Sequence, residues 1–144
     1  MITIKVSKHI ANVFKLYLKK EGRHSENSKV FSEYVRTMMI DEDEVLVSFD
    51  VTSLYTNVPI AKALEIIKDL LFKDGNVKDK TSIPVDDFSD IVNFLLTKTW
   101  FLYNGKFYKQ TDGVAMGGPA SLVVVEIFMQ SHDKRALNTF LSPP

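Results

Sequence analysis

An alternating stretch near the middle of the chain limits the possible folds more than any other feature of the sequence. Between residues 45 and 51, valine or phenylalanine occupies every second position. Successive side chains of a strand point to opposite faces, so this period of two predicts a strand whose apolar face lies on a core. Asp50 then falls on the opposite face, where its carboxylate needs either water or a cation.

The composition is that of one ordinary globular domain. The chain has 144 residues, of which 45% are hydrophobic and 25% are charged. Without cysteine it can form neither disulfides nor thiolate metal sites. Lys plus Arg equals Asp plus Glu, at 18 each, so bulk charge does not attract a polynucleotide and any such partner needs a local site.

The sequence has no pattern typical of a signal peptide or a membrane span. The first residues lack the apolar stretch and cleavage site of a signal peptide, and no apolar run has the length of a membrane span. We therefore expect an intracellular protein with no membrane partner, in the nucleus or the cytoplasm.

Two amphipathic helices are predicted before residue 45, one ending before Gly22 and one running from Val30 to Met39. The acidic run over residues 41–44 follows them. Because it lacks the glycine and the distal glutamate of a calcium-binding EF-hand loop, we interpret it as a solvated linker. Residues 1–44 thus form a predicted helical segment that precedes a second region, residues 45–144.

The second region contains two further predicted helices and a hairpin. One helix begins near Pro59 and the other at Pro84, where Asp86 and Asp87 favour the positive end of the helix dipole and are not interpreted as catalytic. Aromatic runs flank Asn104-Gly105, a strong signal for a two-residue hairpin turn.

A glycine-rich loop follows the hairpin, over residues 110–118, and leads into an apolar block. No Gly-Lys-Ser/Thr follows, so this is not a Walker loop, and alone it predicts only a flexible turn. The apolar block covers residues 122–129. Pro119 suits the first turn of a helix, and the length of the whole run from Pro119 through Leu137 favours a buried helix over a strand.

Two segments of the sequence together resemble a known family. Residues 49–59, Phe-Asp-Val-Thr-Ser-Leu-Tyr-Thr-Asn-Val-Pro, resemble motif A of reverse transcriptases, and in detail that of Penelope-like retroelements. Residues 107–119 resemble motif B of the same family. The resemblance implies an α+β fold, a partial palm of the right-hand polymerase type with flanking helices and an incomplete antiparallel sheet. Residues 45–144 would be the partial palm and fingers core.

The resemblance also implies roles for individual residues. Asp50 would be the catalytic carboxylate and, with the Val51 carbonyl, would bind the two magnesium ions of the family site. Tyr55 would exclude a ribose 2′-hydroxyl by lying beneath the nucleotide sugar. The residues that would position template and nucleotide are Gln110, Gly113, Met116, Gly117, Gly118 and Pro119. The pattern departs from the family at Gly118, Ala120 and Leu122, which replace serine, leucine and proline.

The implied activity is that of an RNA-directed DNA polymerase, a nucleotidyltransferase of a retrotransposon, which takes an RNA template, a DNA primer and deoxynucleotides. Its third block, the aromatic-x-Asp-Asp hairpin of motif C, does not occur in this sequence. One carboxylate does not meet the needs of two metal ions, so we expect this fragment alone to be inactive. An unpaired edge on the Asp50 strand predicts poor solubility.

Two alternatives stay open. A non-catalytic remnant of a retroelement could bind nucleic acid or protein through its helices and aromatic ribbon, with Trp100, Tyr103, Phe107 and Tyr108 as stacking groups. An unrelated phosphotransfer domain could use Asp50 as an acceptor. That alternative is disfavoured, because the sequence has neither Asp-x-Asp at Asp50 nor the early acidic pair and late lysine of a receiver domain.

Overall fold

The computed structural model of this chain describes residues 2–18, 27–74 and 77–141. Within these ranges it is a mixed structure of helices and one small antiparallel sheet, which places it in the α+β class. The elements in chain order are α1 (Ile2–Lys15), α2 (Ser28–Thr37), α3 (Leu54–Asn57), α4 (Ile60–Lys73), α5 (Val77–Lys80), α6 (Val85–Thr97), β1 (Trp100–Tyr103), β2 (Lys106–Lys109) and α7 (Pro119–Leu141). No helix in the described part of the chain has the length and apolar character needed to cross a bilayer.

The chain divides into two compact units. The first comprises residues 1–18 and 53–144, and the second comprises residues 19–52. The sequence predicted a different division, between a helical segment over residues 1–44 and a partial palm over residues 45–144, and that division stays a prediction.

The core of the first unit lies among four helices, α1, α4, α6 and α7, which pack on one another. The rings of Phe14 and Phe88 meet edge to face, with centroids 5.3 Å apart, and join α1 to α6. On α4, Ala63, Ile67 and Leu71 recur every four residues and are buried. The helices predicted from apolar periodicity at these places are confirmed.

Helix α7 begins at Pro119, as predicted, and extends to Leu141. Its first half fills the core with three consecutive valines over residues 123–125. Its second half is exposed over residues 132–140, so the predicted burial applies only to the first half. Buried β-branched residues tolerate the helix because packing outweighs their weak intrinsic preference.

The hairpin is confirmed in type and position. Strands β1 and β2 pair antiparallel with Tyr103 opposite Lys106, which leaves Asn104 and Gly105 as the two-residue turn. Their φ angles are 47° and 72°, the positive values that this turn requires.

The predicted strand over residues 45–51 is wrong. These residues adopt no regular secondary structure, and their apolar side chains are exposed, with Phe49 at 93%. A strand forms only when a neighbour completes its hydrogen-bond ladder, and the described part of the second unit contains only α2 and irregular chain. The alternating sequence favours a strand here, but the described part of the second unit provides no strand for it to pair with.

Helix α2 is the regular element of the second unit. Its N-cap is Asn27, whose side-chain oxygen accepts hydrogen bonds from the Lys29 and Val30 amides, both at 3.0 Å. The helix has the predicted amphipathic pattern, yet none of its residues is buried. Local signals therefore suffice to form this helix, but its apolar stripe does not reach a core.

A polar cluster joins the turn after α1 to the segment after α4. The Lys80 ammonium forms an ion pair with Asp74 and lies 4.2 Å from the centroid of the Tyr17 ring. Burial of the Tyr17 hydroxyl, and then the neighbouring Asp74 carboxylate, raise the pKa of Tyr17 above its ordinary range. The shift favours the neutral phenol over the phenolate.

Candidate functional site

The residues of the two motif-like segments that lie in the first unit meet at a short helix. Helix α3 is a single turn that holds Tyr55, and it begins after Ser53, whose φ of 51° is in the left-handed region. The Ser53 carbonyl accepts hydrogen bonds from the Thr56 amide at 3.1 Å and the Thr56 hydroxyl at 2.9 Å. This compact turn gives Tyr55 a defined backbone, with its side chain half-buried.

The loop over residues 110–118 begins at Gln110 and is fixed there by two bonds. The Gln110 amide donates to the Thr99 carbonyl at 3.0 Å, which extends the β1–β2 ladder by one step. The Gln110 side chain donates to the Asp112 carbonyl at 2.8 Å. Gln110 therefore holds the first residues of the loop in place.

The loop docks on α3 at Gly113 and Val114. The Val114 amide donates to the Tyr55 carbonyl at 2.7 Å. A Cβ atom on Gly113 would lie 2.5 Å from the Thr56 Cα and carbonyl oxygen, and Gly113 also has a φ of 69°. Only glycine satisfies both conditions, because it has no Cβ and adopts positive φ without strain. The two segments thus meet through backbone, at a buried junction.

The far end of the loop turns at Met116 and Gly117 before α7. Met116 is exposed, and Gly117 has a φ of 97° with open space where a Cβ would lie. Gly118 packs close to Ser121, so that a Cβ there would lie 2.7 Å from the Ser121 hydroxyl. Pro119 opens α7, and the exposed Met116 leaves the turn accessible to a ligand.

The start of α7 is capped from another helix. The buried Ser7 hydroxyl on α1 accepts a hydrogen bond from the Ala120 amide at 3.1 Å. The Ala120 amide lies in the first turn of α7, where the acceptor is normally an N-cap side chain. Here Ser7 takes that role. Neither Ser7 nor Val114 was predicted, since only tertiary contact over a long sequence separation gives either residue its role.

Asp50 and Val51 belong to the second unit. Asp50 is exposed, and its carboxylate accepts a hydrogen bond from the Val51 amide at 2.9 Å. This is a local turn bond that leaves carboxylate lone pairs for solvent or a cation. Tyr55 and the glycine loop are brought together in the first unit, and Asp50 is placed in the second.

The described residues do not fit a two-magnesium site. Nowhere in residues 2–18, 27–74 and 77–141 do three or more His, Asp or Glu side chains come together in a group that could hold a metal ion. Asp50 offers one carboxylate, whereas two hard cations need shared oxygen ligands from several groups in addition to substrate phosphates. The first unit offers a backbone-lined junction, and the second offers the single carboxylate of Asp50.

Comparisons with models of known protein families, with curated proteins and with solved structures find no match for this chain.

Proposed function

We propose that this chain is part of an RNA-directed DNA polymerase of the Penelope-like retroelement type, with motif A over residues 49–59 and motif B over residues 107–119. The observation that carries the proposal is the junction between Tyr55 and Val114. Two segments that resemble neighbouring blocks of one active site are far apart in sequence, yet they are hydrogen-bonded at 2.7 Å. If the two resemblances were due to chance, the two segments would not be expected to contact each other.

The geometry of the junction suits positioning of a nucleotide. Tyr55 has a fixed backbone and a half-buried ring, so the ring can act as a steric limit on the sugar. The loop from Gln110 to Pro119 ends in an exposed turn and the start of a helix, where glycines permit close approach of a base or backbone. In this proposal the loop positions the template base and the incoming deoxynucleotide.

Asp50 is proposed as one ligand for magnesium, with the Val51 carbonyl beside it. Magnesium prefers carboxylate and carbonyl oxygens, and Asp50 is exposed. Because one carboxylate does not suffice for two ions, the proposal requires further carboxylates from outside the described residues. The chain of 144 residues alone is therefore expected to be inactive.

Primer extension on an RNA template tests this proposal. The assay compares the 144-residue chain with the full polypeptide encoded by the reading frame in which it lies. We expect magnesium-dependent DNA synthesis by the full polypeptide and none by the chain alone, because phosphoryl transfer depends on the complete ligand set. Asp50→Ala should abolish synthesis.

Asp41→Ala is the matched control, since Asp41 is also an exposed aspartate of the second unit. It should leave synthesis intact. Synthesis that survives Asp50→Ala, or a full polypeptide that makes no DNA, would contradict the proposal.

A further inference from the structure

The β1–β2 ribbon is aromatic on both sides and covered on neither. Trp100, Phe101, Leu102, Tyr103, Phe107 and Tyr108 are all exposed. Apolar residues of a two-stranded ribbon are normally buried against a third element, because a hairpin alone is marginally stable in water. So much exposed aromatic surface indicates a binding surface.

The pairing register assigns these residues to two faces. Directly opposite residues of an antiparallel pair share a face. Phe101 lies opposite Tyr108, and Tyr103 lies opposite Lys106. These four residues form what we call the tyrosine face. The other face holds Trp100, Leu102, Phe107 and Lys109.

On the tyrosine face the rings are already arranged for stacking. Phe101 and Tyr108 are stacked, with centroids 5.6 Å apart and planes at 19°. Tyr103 meets Tyr108 edge to face, with centroids 6.4 Å apart. Tyr103 is 70% exposed, so its ring remains available to a ligand. Preordered rings lose little entropy when a flat apolar group stacks on them.

The charge of the ribbon differs from that of the chain. The ribbon, residues 100–109, contains Lys106 on the tyrosine face, Lys109 on the other face and no acidic residue, which gives two positive charges minus none, or +2. The whole chain has a formal net charge of zero. A local excess of lysine on an aromatic surface complements a phosphate backbone whose bases are free to stack.

We propose that the tyrosine face binds single-stranded nucleic acid, with bases stacked on the Tyr103 and Phe101 rings and Lys106 paired with a phosphate. A duplex fits less well, because its bases are stacked on one another and do not present their faces. Protein interfaces are enriched in aromatic residues but depleted in lysine, so Lys106 on this face favours a phosphate backbone over a protein. A second copy of the same face would bring its own Lys106 toward the first.

This inference does not depend on the polymerase proposal, because it uses neither Asp50 nor the loop over residues 110–118. Its test therefore omits both magnesium and nucleoside triphosphates. Failure of one proposal leaves the other standing.

The test is fluorescence anisotropy of labelled oligothymidine and oligouridine with the full chain. Strands of about 12 nucleotides cover a typical single-strand site. Tyr103→Ala should weaken binding by about 5- to 150-fold, the loss expected for one stacked base. Tyr103→Phe should retain the affinity, because the stacking ring is kept. Lys106→Gln should lower the salt slope by about 0.7, the value for one phosphate contact on a single strand.

Leu102→Ala is the matched control, because Leu102 lies on the other face of the same strand and is 62% exposed. It should bind as the wild type does, and circular dichroism should show an unchanged fold for each variant. DNA and RNA strands should bind comparably, since every base has a stacking face.

Four outcomes would overturn the proposal. They are absence of binding at low salt, equal affinity for a duplex of the same length, equal losses in Leu102→Ala and Tyr103→Ala, and binding confined to DNA or to RNA. Tyr103-dependent self-association that oligonucleotide does not displace would assign the face to a second copy of the chain instead.

Discussion

Gly113 illustrates how one residue joins two distant segments of the first unit. It is buried, it has positive φ, and a Cβ would overlap the Thr56 backbone. Gly117, four residues later, also has positive φ but faces open space. Substitution of Gly117 therefore measures the free-energy cost of positive φ alone, and substitution of Gly113 measures that cost together with the cost of close contact.

We predict that Gly113→Ala destabilises the fold much more than Gly117→Ala. Alanine at positive φ costs about 1–2 kcal/mol, and overpacking adds about 1–3 kcal/mol, so Gly113→Ala should cost roughly 2–5 kcal/mol. Gly117→Ala should cost about 1–2 kcal/mol, since only the first term applies. Urea unfolding followed by circular dichroism measures both. Equal losses would mean that the Gly113 contact with Thr56 is not tight.

At the scale of elements, the first unit is held by contacts between helices distant in sequence. Helix α1 packs on α7, and its Ser7 hydroxyl caps the Ala120 amide. Ser89 on α6 is also a buried serine, but its hydroxyl donates to the Val85 carbonyl of its own helix. Loss of the Ser7 hydroxyl therefore leaves the Ala120 amide without its acceptor, whereas loss of the Ser89 hydroxyl removes only a second donor to the Val85 carbonyl.

We predict that Ser7→Ala costs about 1–2 kcal/mol of unfolding free energy, because it leaves a buried amide without its acceptor. Ser89→Ala should cost only about 0.5 kcal/mol, the low end for one hydrogen bond, since the Val85 carbonyl keeps its helical partner. Thermal unfolding of the two variants beside the wild type measures the difference. A Ser89→Ala loss as large as that of Ser7→Ala would refute the capping role.

At the scale of the whole molecule, the two units differ in burial. The first has a helical core, whereas none of the described residues of the second is buried. Residues 45–51 combine β-branched and aromatic side chains with one charge and no proline. Such segments pair readily with copies of themselves when they are exposed.

We predict that Val47→Lys slows aggregation of the chain, because a charge within this segment opposes intermolecular strand pairing. Leu16→Lys is the control, since Leu16 is 62% exposed and Val47 is 64% exposed, but Leu16 lies in a turn after α1. Thioflavin T fluorescence and light scattering measure the rates. Equal slowing by both substitutions would show that net charge, and not this segment, controls aggregation.

Sequence patterns predicted α1, α2, α4, α6, α7 and the hairpin because their signals are local, whereas they did not predict the single-turn helices α3 and α5. The stripe on α4, the proline at the start of α7 and Asn104-Gly105 each fix a conformation within one or two turns of chain. The same reasoning failed at residues 45–51, where alternation needs a neighbouring strand to take effect. It proposed Tyr55 and Gly113 as site residues but did not predict the hydrogen bond between their segments.

By itself, the sequence determined the α+β class, the main elements and the residues that resemble two polymerase motifs. Only the tertiary structure decided that Gly113 and Val114 contact α3, that Ser7 caps α7, and that the tyrosine face of the ribbon is exposed. The physical reason is range. Capping, turn geometry and periodicity act over a few residues, whereas docking of the loop on α3 and capping by Ser7 depend on the packed core that brings distant backbone atoms within bonding distance.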